Sequence, residues 1–238
     1  MSMTMHELLK MSLEEFGQYF DHTRLDANAT EEQITQLAEE ARQYKVGAVC
    51  VNGCHVPLVH ELLRNSTVKI ATVIGFPLGA MTTAAKLAEA EDALRNGADE
   101  LDMVLNIGAL KDGRIDFVRS EIRQLADLCH RQNALLKVII ETYFLKDDQI
   151  ITACQLAKEA GADFVKTSTG FAGGGALVED VELMRKTVGS DMKIKASGGI
   201  RSLKDARDMI DAGADRLGCS ATTRILKEFI REKEEFPY

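Results

Sequence analysis

Residues 161–167, Gly-Ala-Asp-Phe-Val-Lys-Thr, run from the end of one helical pattern directly into a short apolar strand. The glycine supplies the left-handed residue that closes a helix and turns the chain back. The same Gly-Ala-Asp recurs at Gly97 and Gly213, each time just ahead of another apolar run. Working outward from these junctions, strand patterns fall at 19–21, 48–51, 69–74, 100–104, 135–140, 164–167, 193–196 and 216–218, eight in all. Helical periodicity fills the intervals at 83–95, 115–132, 147–160, 178–188 and 202–212. Thr30 and Gln33 form a capping box ahead of an apolar stripe of Ile34, Leu37, Ala38 and Ala41, before Gly47.

This alternation defines repeated βα units. An open doubly wound sheet would carry a Gly-x-Gly-x-x-Gly turn or a Walker loop, and the chain has neither. Eight units of about 30 residues each point instead to the α/β class and a single (β/α)8 TIM barrel. With no linker or break in composition, residues 1–238 read as one domain. Residues 1–18 are expected as a helical extension ahead of the barrel, and 227–238 as a helical tail fraying into solvent.

Composition narrows the partners. Asp and Glu number 37 against 29 Lys and Arg, and no basic cluster offsets the net charge of -8, so nucleic acid is not expected. No apolar run approaches the ~20 residues of a bilayer span, and no basic-then-apolar leader opens the sequence, so neither membrane nor export is expected. Five irregularly spaced cysteines suit a reducing compartment and a cytoplasmic protein. Cys50, Cys54 and His55 lack a second ligand pair at metal-binding spacing, so no metal or other cofactor is expected. Barrels of this size often associate through helix faces, which leaves a homo-oligomer open.

In such a barrel, polar residues in or just after strands carry the chemistry. Lys166 stands inside an apolar strand, and Lys193 and Lys195 share one side of the next. Adjacent parallel strands lie about 4.8 Å apart, which makes Lys166 and Lys195 neighbours. Two close cations and desolvation both lower a lysine pKa, leaving a neutral amine suited to condensing with a carbonyl. The other reading is that each lysine is paired with a buried carboxylate and only structural. Asp102 alternates onto the barrel side of its strand beside Lys137, either as a proton shuttle or as that lysine's structural partner. Glycine-rich loops at 169–175, 197–199 and 218–220 can aim backbone N–H groups at an anion, which predicts a phosphorylated ligand. His22 is expected to form a structural pair with its neighbour Asp21.

Several of these segments resemble the deoxyribose-phosphate aldolase family: Asp21-His22-Thr23, TVIGFPLG at 72–79, ELDMVLNIGALKDG at 100–113, LLKVIIET at 135–142, FVKTSTGF at 164–171 and IKASGGI at 194–200. The resemblance implies a metal-free, class I aldolase that reversibly cleaves 2-deoxyribose 5-phosphate to glyceraldehyde 3-phosphate and acetaldehyde. It implies Lys166 as the Schiff-base lysine, Lys195 as the lysine that perturbs it, and Asp102 as an acid/base working through a water. Gly170, Gly198, Gly199, Gly218 and Ser220 would hold the phosphate. Two competing readings share some of these features: a Schiff-base lyase for another phosphosugar, and a non-catalytic sugar-phosphate sensor.

Overall fold

A computed structural model of the chain describes residues 3–235. Strands β1 (Phe20–Arg24), β2 (Ala48–Val51), β3 (Lys69–Ile74), β4 (Glu100–Val104), β5 (Leu135–Ile139), β6 (Phe164–Lys166), β7 (Lys193–Ser197) and β8 (Arg216–Cys219) are all parallel and follow one another in sequence order. β1 pairs with β8, Asp21 opposite Gly218, and closes the barrel. All eight strand expectations fall on observed strands, with shifts of a few residues at the ends.

Helices α1 (Met5–Lys10) and α2 (Leu13–Gly17) precede the barrel. Helices α3 (Glu31–Tyr44), α4 (Val56–Leu63), α5 (Thr83–Arg95), α6 (Ile107–Lys111), α7 (Ile115–Arg131), α8 (Asp147–Glu159), α9 (Val178–Val188), α10 (Leu203–Asp211) and α11 (Thr222–Glu235) follow the strands. None is long and apolar enough to cross a membrane. The capping box of α3 forms as expected, but the left-handed residue at its end is Lys45. Gly47 has a different role, since a Cβ there would meet the Gln18 carbonyl at 2.5 Å.

The Gly-Ala-Asp junctions explain how strands enter the barrel in register. Gly97, Gly161 and Gly213 all have φ between 86 and 110°. The aspartates then do something that helix termination alone does not predict. Asp99 accepts the Ile70 N–H at 2.9 Å, and Asp163 and Asp215 accept those of Leu136 and Ile194 at 2.8 Å. In each case the backbone N–H of the same aspartate donates to the carbonyl of that same partner residue. Each aspartate thus fastens its strand to the preceding one at the bottom of the barrel.

Both described ends of the chain are helical. The extension is two helices, because Ser12 caps a new one with Glu15 and breaks the first at Met11. The tail up to residue 235 continues α11, since Phe229 is buried against Phe16, with ring centroids 4.7 Å apart, and Lys233 donates to the Met11 carbonyl. Residues 236–238 of the expected tail lie outside the described residues.

Between α5 and α7 lies an ion pair that helical periodicity hides. Lys86 and Glu121 are both fully buried, with Nζ 2.8 Å from Oε2, and Lys86 also donates to the Val104 carbonyl at the end of β4. Removing one member strands the other charge. Glu121→Leu is expected to cost about 3 to 5 kcal/mol in chemical denaturation, and Lys86→Met with Glu121→Leu to recover most of it. Equal losses in the single and double variants would refute this.

Candidate active site

Asp102 on β4, Lys137 on β5, Lys166 on β6 and Lys195 on β7 all point into the barrel. Register places Asp102 opposite Lys137 and Lys166 opposite Lys195. Asp102 Oδ1 accepts from Lys137 at 2.8 Å. Its Oδ2 accepts from Lys166 at 2.8 Å and from Lys195 at 2.7 Å. The expected lysine pair therefore exists, with its two nitrogens joined on a single carboxylate oxygen.

Asp21, Glu100 and Arg216 complete the cluster. Lys195 is also ion-paired with Asp21, whose other oxygen accepts from Arg216 at 2.6 Å. Lys137 lies 2.5 Å from Glu100 Oε2, and Arg216 lies 3.7 Å from Glu100 Oε1. The pairing of Asp21 with His22 expected from the sequence does not occur. Successive strand residues face opposite sides, so Asp21 enters the barrel while His22 faces outward, 2.8 Å from Glu40 on α3. Alternation along β1 was the signal that could have assigned Asp21 to the site.

Three carboxylates thus face four basic groups inside the barrel, and one cation is in excess. The geometry shows which. Lys195 touches two carboxylates, and although burial pushes its pKa down, Asp102 and Asp21 outweigh that and raise it. Lys137 is raised by Asp102 and Glu100 against the same opposition. Burial works against ionised Asp102 and Asp21, but the surrounding cations hold both carboxyls below their ordinary range. Lys166 has only a shared oxygen. Burial lowers its pKa, Asp102 opposes this incompletely, and Lys195 lowers it further. Mutual repulsion between the lysines is therefore the smaller influence, and their unequal share of carboxylates is what separates them.

Lys166 also borders open space. A cleft of about 380 Å³ is lined by Lys166 together with Thr169, Gly170, Gly198, Gly199, Gly218 and Ser220. All five residues expected at the phosphate therefore stand around one cleft with Lys166, while Lys195 and Asp102 lie buried beneath it. Gly198 has φ +85°, and a Cβ there would meet the Gly175 Cα at 2.9 Å, so the loops after β6 and β7 approach through bare backbone. A Cβ on Gly218 would press on the Lys195 side chain at 2.9 Å. Cys50 is buried and Cys54 exposed. Among the described residues no group of three or more His, Cys, Asp or Glu is placed to hold a metal ion.

Fold and cluster together define a class, the eight-stranded parallel barrels that carry a lysine–carboxylate network inside the sheet. Comparison with known proteins gives the family. The profile of the DeoC/LacD family aldolases matches residues 16–221, and the chain belongs to that family. It is 51% identical to a deoxyribose-phosphate aldolase of Caldanaerobacter subterraneus subsp. tengcongensis, over 93% of this chain and 96% of that protein. It is 54% identical to deoxyribose-phosphate aldolase 1 of Staphylococcus aureus, over 89% and 96%. Among solved structures it is similar to the tetrameric deoxyribose phosphate aldolase of Aeropyrum pernix, with TM-score 0.87, 34% identity and 92% of each chain covered.

A depressed lysine pKa lowers stability with a definite sign. Below its folded pKa the Lys166 amine takes up a proton less readily than in the unfolded chain, where the ordinary value is 10.5. The folded protein therefore carries a penalty that is full at low pH and fades as pH rises toward that value. Lys166→Met removes the penalty. At pH 7 the variant is expected to be at least as stable as the wild type in denaturant titrations, the difference shrinking by pH 9.5. A variant clearly less stable at pH 7 would mean that the amine is held charged as part of the network.

Proposed function

We propose that this chain reversibly cleaves 2-deoxyribose 5-phosphate to glyceraldehyde 3-phosphate and acetaldehyde, through a Schiff base on Lys166. The observation that carries this reading is that Lys166 is the surplus base of the cluster and the lysine that lines the cleft. The names of the relatives support the same substrate.

The neutral Nζ of Lys166 attacks the aldehyde carbon, and the carbonyl oxygen leaves as water after protonation, giving an iminium. Electrons of the breaking carbon–carbon bond flow into that iminium and form an enamine, so no free carbanion arises. The hydroxyl next to the breaking bond loses its proton to a water held by Asp102 and Lys195. Asp102, kept ionised by its cations, is a weak base alone, and its pairing with Lys195 sets a proton donor, the ammonium, beside its acceptor oxygen. Reprotonation of the enamine and hydrolysis of the imine release acetaldehyde.

The phosphate lies among Gly170, Gly198, Gly199, Gly218 and Ser220, where backbone N–H groups meet an anion in this type of barrel. That grip supplies binding energy remote from the reacting carbon. We further infer that the chain acts as one domain without a metal, works in the cytoplasm, and associates with copies of itself. The five unpaired cysteines support the compartment. The tetramer of the Aeropyrum pernix relative supports the assembly.

Borohydride treatment with deoxyribose 5-phosphate or acetaldehyde is expected to add one substrate-derived mass to the wild type, mapped to Lys166, and none to Lys166→Ala, which should lack turnover. Persistent turnover by that variant would overturn the assignment, and a panel of other phosphosugars separates a different lyase specificity. Lys195→Met removes a cation beside Lys166 and leaves Asp102 less neutralised, and both changes raise the Lys166 pKa. The midpoint of imine formation against pH should therefore move upward; a downward or absent shift would show that Lys195 does not tune the amine.

A further inference from the structure

Beyond the lysine cluster, the end of β5 is built in an unusual way. Glu141 is almost fully buried and has φ 56° and ψ 70°, the left-handed region that a side-chain-bearing residue avoids. The ladder to β6 shows how it comes to be there. Ile140 N–H donates to the Lys166 carbonyl and Thr142 N–H to that of Thr167, both at 3.0 Å. Between these bonds β5 advances two residues while β6 advances one, so Glu141 is the extra residue of a bulge.

A bulge re-aims a side chain, and here it turns the carboxylate toward the loop after β6. Glu141 Oε2 accepts both the backbone N–H and the hydroxyl of Thr169. Thr169 Oγ1 in turn accepts the Phe171 N–H at 3.1 Å. One carboxylate thereby fixes the backbone on either side of Gly170, which lines the cleft beside Lys166. Tyr143, two residues further along, holds the same loop at a second point, lying so close to Gly174 that a Cβ there would meet its ring at 2.5 Å. A glycine at 141 would adopt the bulge more readily, but it would have no carboxylate to offer Thr169.

We propose that Glu141 is a positioning residue that sets the preference for a phosphorylated substrate, by holding the 169–174 loop in its anion-binding shape. The proposal rests on the reading of this cleft as the phosphate site. Glu141 is not itself among the residues lining the cleft and reaches it only through Thr169, so its effect should fall on substrate binding.

The test compares the wild type with Glu141→Gly, which suits the bulge but lacks the carboxylate, and Glu141→Gln, whose amide oxygen still accepts from Thr169. Glu141→Gly should keep the wild-type melting temperature or exceed it, while amide hydrogen exchange in 169–174 speeds up about tenfold or more, as expected for loss of hydrogen bonds to a charged acceptor. KM for deoxyribose 5-phosphate should rise by a similar factor, whereas kcat/KM for unphosphorylated 2-deoxyribose should change less than about threefold. Glu141→Gln should restore both readouts to near the wild-type values. Unchanged exchange in 169–174, or equal losses on the two substrates, would overturn the proposal. A wild type with no preference for the phosphorylated sugar would instead sink the phosphate reading of the cleft, and with it the specificity role, while the exchange data still decide whether Glu141 holds the loop.

Discussion

Asp102 Oδ2 is a single acceptor shared by Lys166 and Lys195. An isolated ion in a protein interior is very costly, so every buried charge here needs an opposite neighbour. Asp21, Glu100 and Asp102 supply enough negative charge for Lys137, Lys195 and Arg216. A proton on Lys166 has no carboxylate of its own, and this cluster is neutral only when that amine is uncharged. Each unit of pKa shift corresponds to about 1.4 kcal/mol of preference between the two forms. The reactivity proposed for Lys166 thus follows from a shortage of carboxylate in its surroundings, with no special chemistry in the residue itself.

The barrel makes that shortage durable. Parallel strands place side chains of neighbouring strands at fixed heights, and the Asp99, Asp163 and Asp215 bonds fix the heights of β4, β6 and β8 against the preceding strands. A slip of one residue on β6 would turn Lys166 out of the barrel and bring Val165 in. The Gly-Ala-Asp junctions sit at the opposite end of each strand from the cleft. Register set at the bottom therefore decides which amine meets Asp102 at the top.

Much of this was legible in the sequence because it rests on two short periodicities. Alternation along strands announced the barrel-facing Asp102, Lys166 and Lys195, and the glycine-rich loops marked the mouth of the same strands. Adjacency in sequence points Asp21 to His22, whereas alternation puts neighbours on opposite faces and takes Asp21 into the barrel. Glu100 and Arg216 give no local signal, because their significance depends on a charge balance spanning several strands. The pair Lys86–Glu121 is invisible to helical patterning, since a buried lysine in a helix scores as a polar residue whatever it faces. Glu141 was beyond reach for another reason: a bulge shows in hydrogen-bond register and backbone angles, and a lone glutamate after an apolar run gives no sign of it.

The glycine-lined end and the amine end of the cleft are mechanically one object. Gly218, on the β8 edge of the cleft, lies against the Lys195 side chain, so the strand that lines this end also limits where that lysine can go. On the other side, Ser197 donates its hydroxyl hydrogen to the Ser168 carbonyl, joining the end of β7 to the segment that follows Lys166. An anion drawing the β6, β7 and β8 loops together would therefore press on both lysines through backbone, with no side chain reaching between the two ends. Binding energy from an anion at the glycine-lined end would in this way be used at the reacting carbon, because Gly218 both lines the cleft and lies against Lys195.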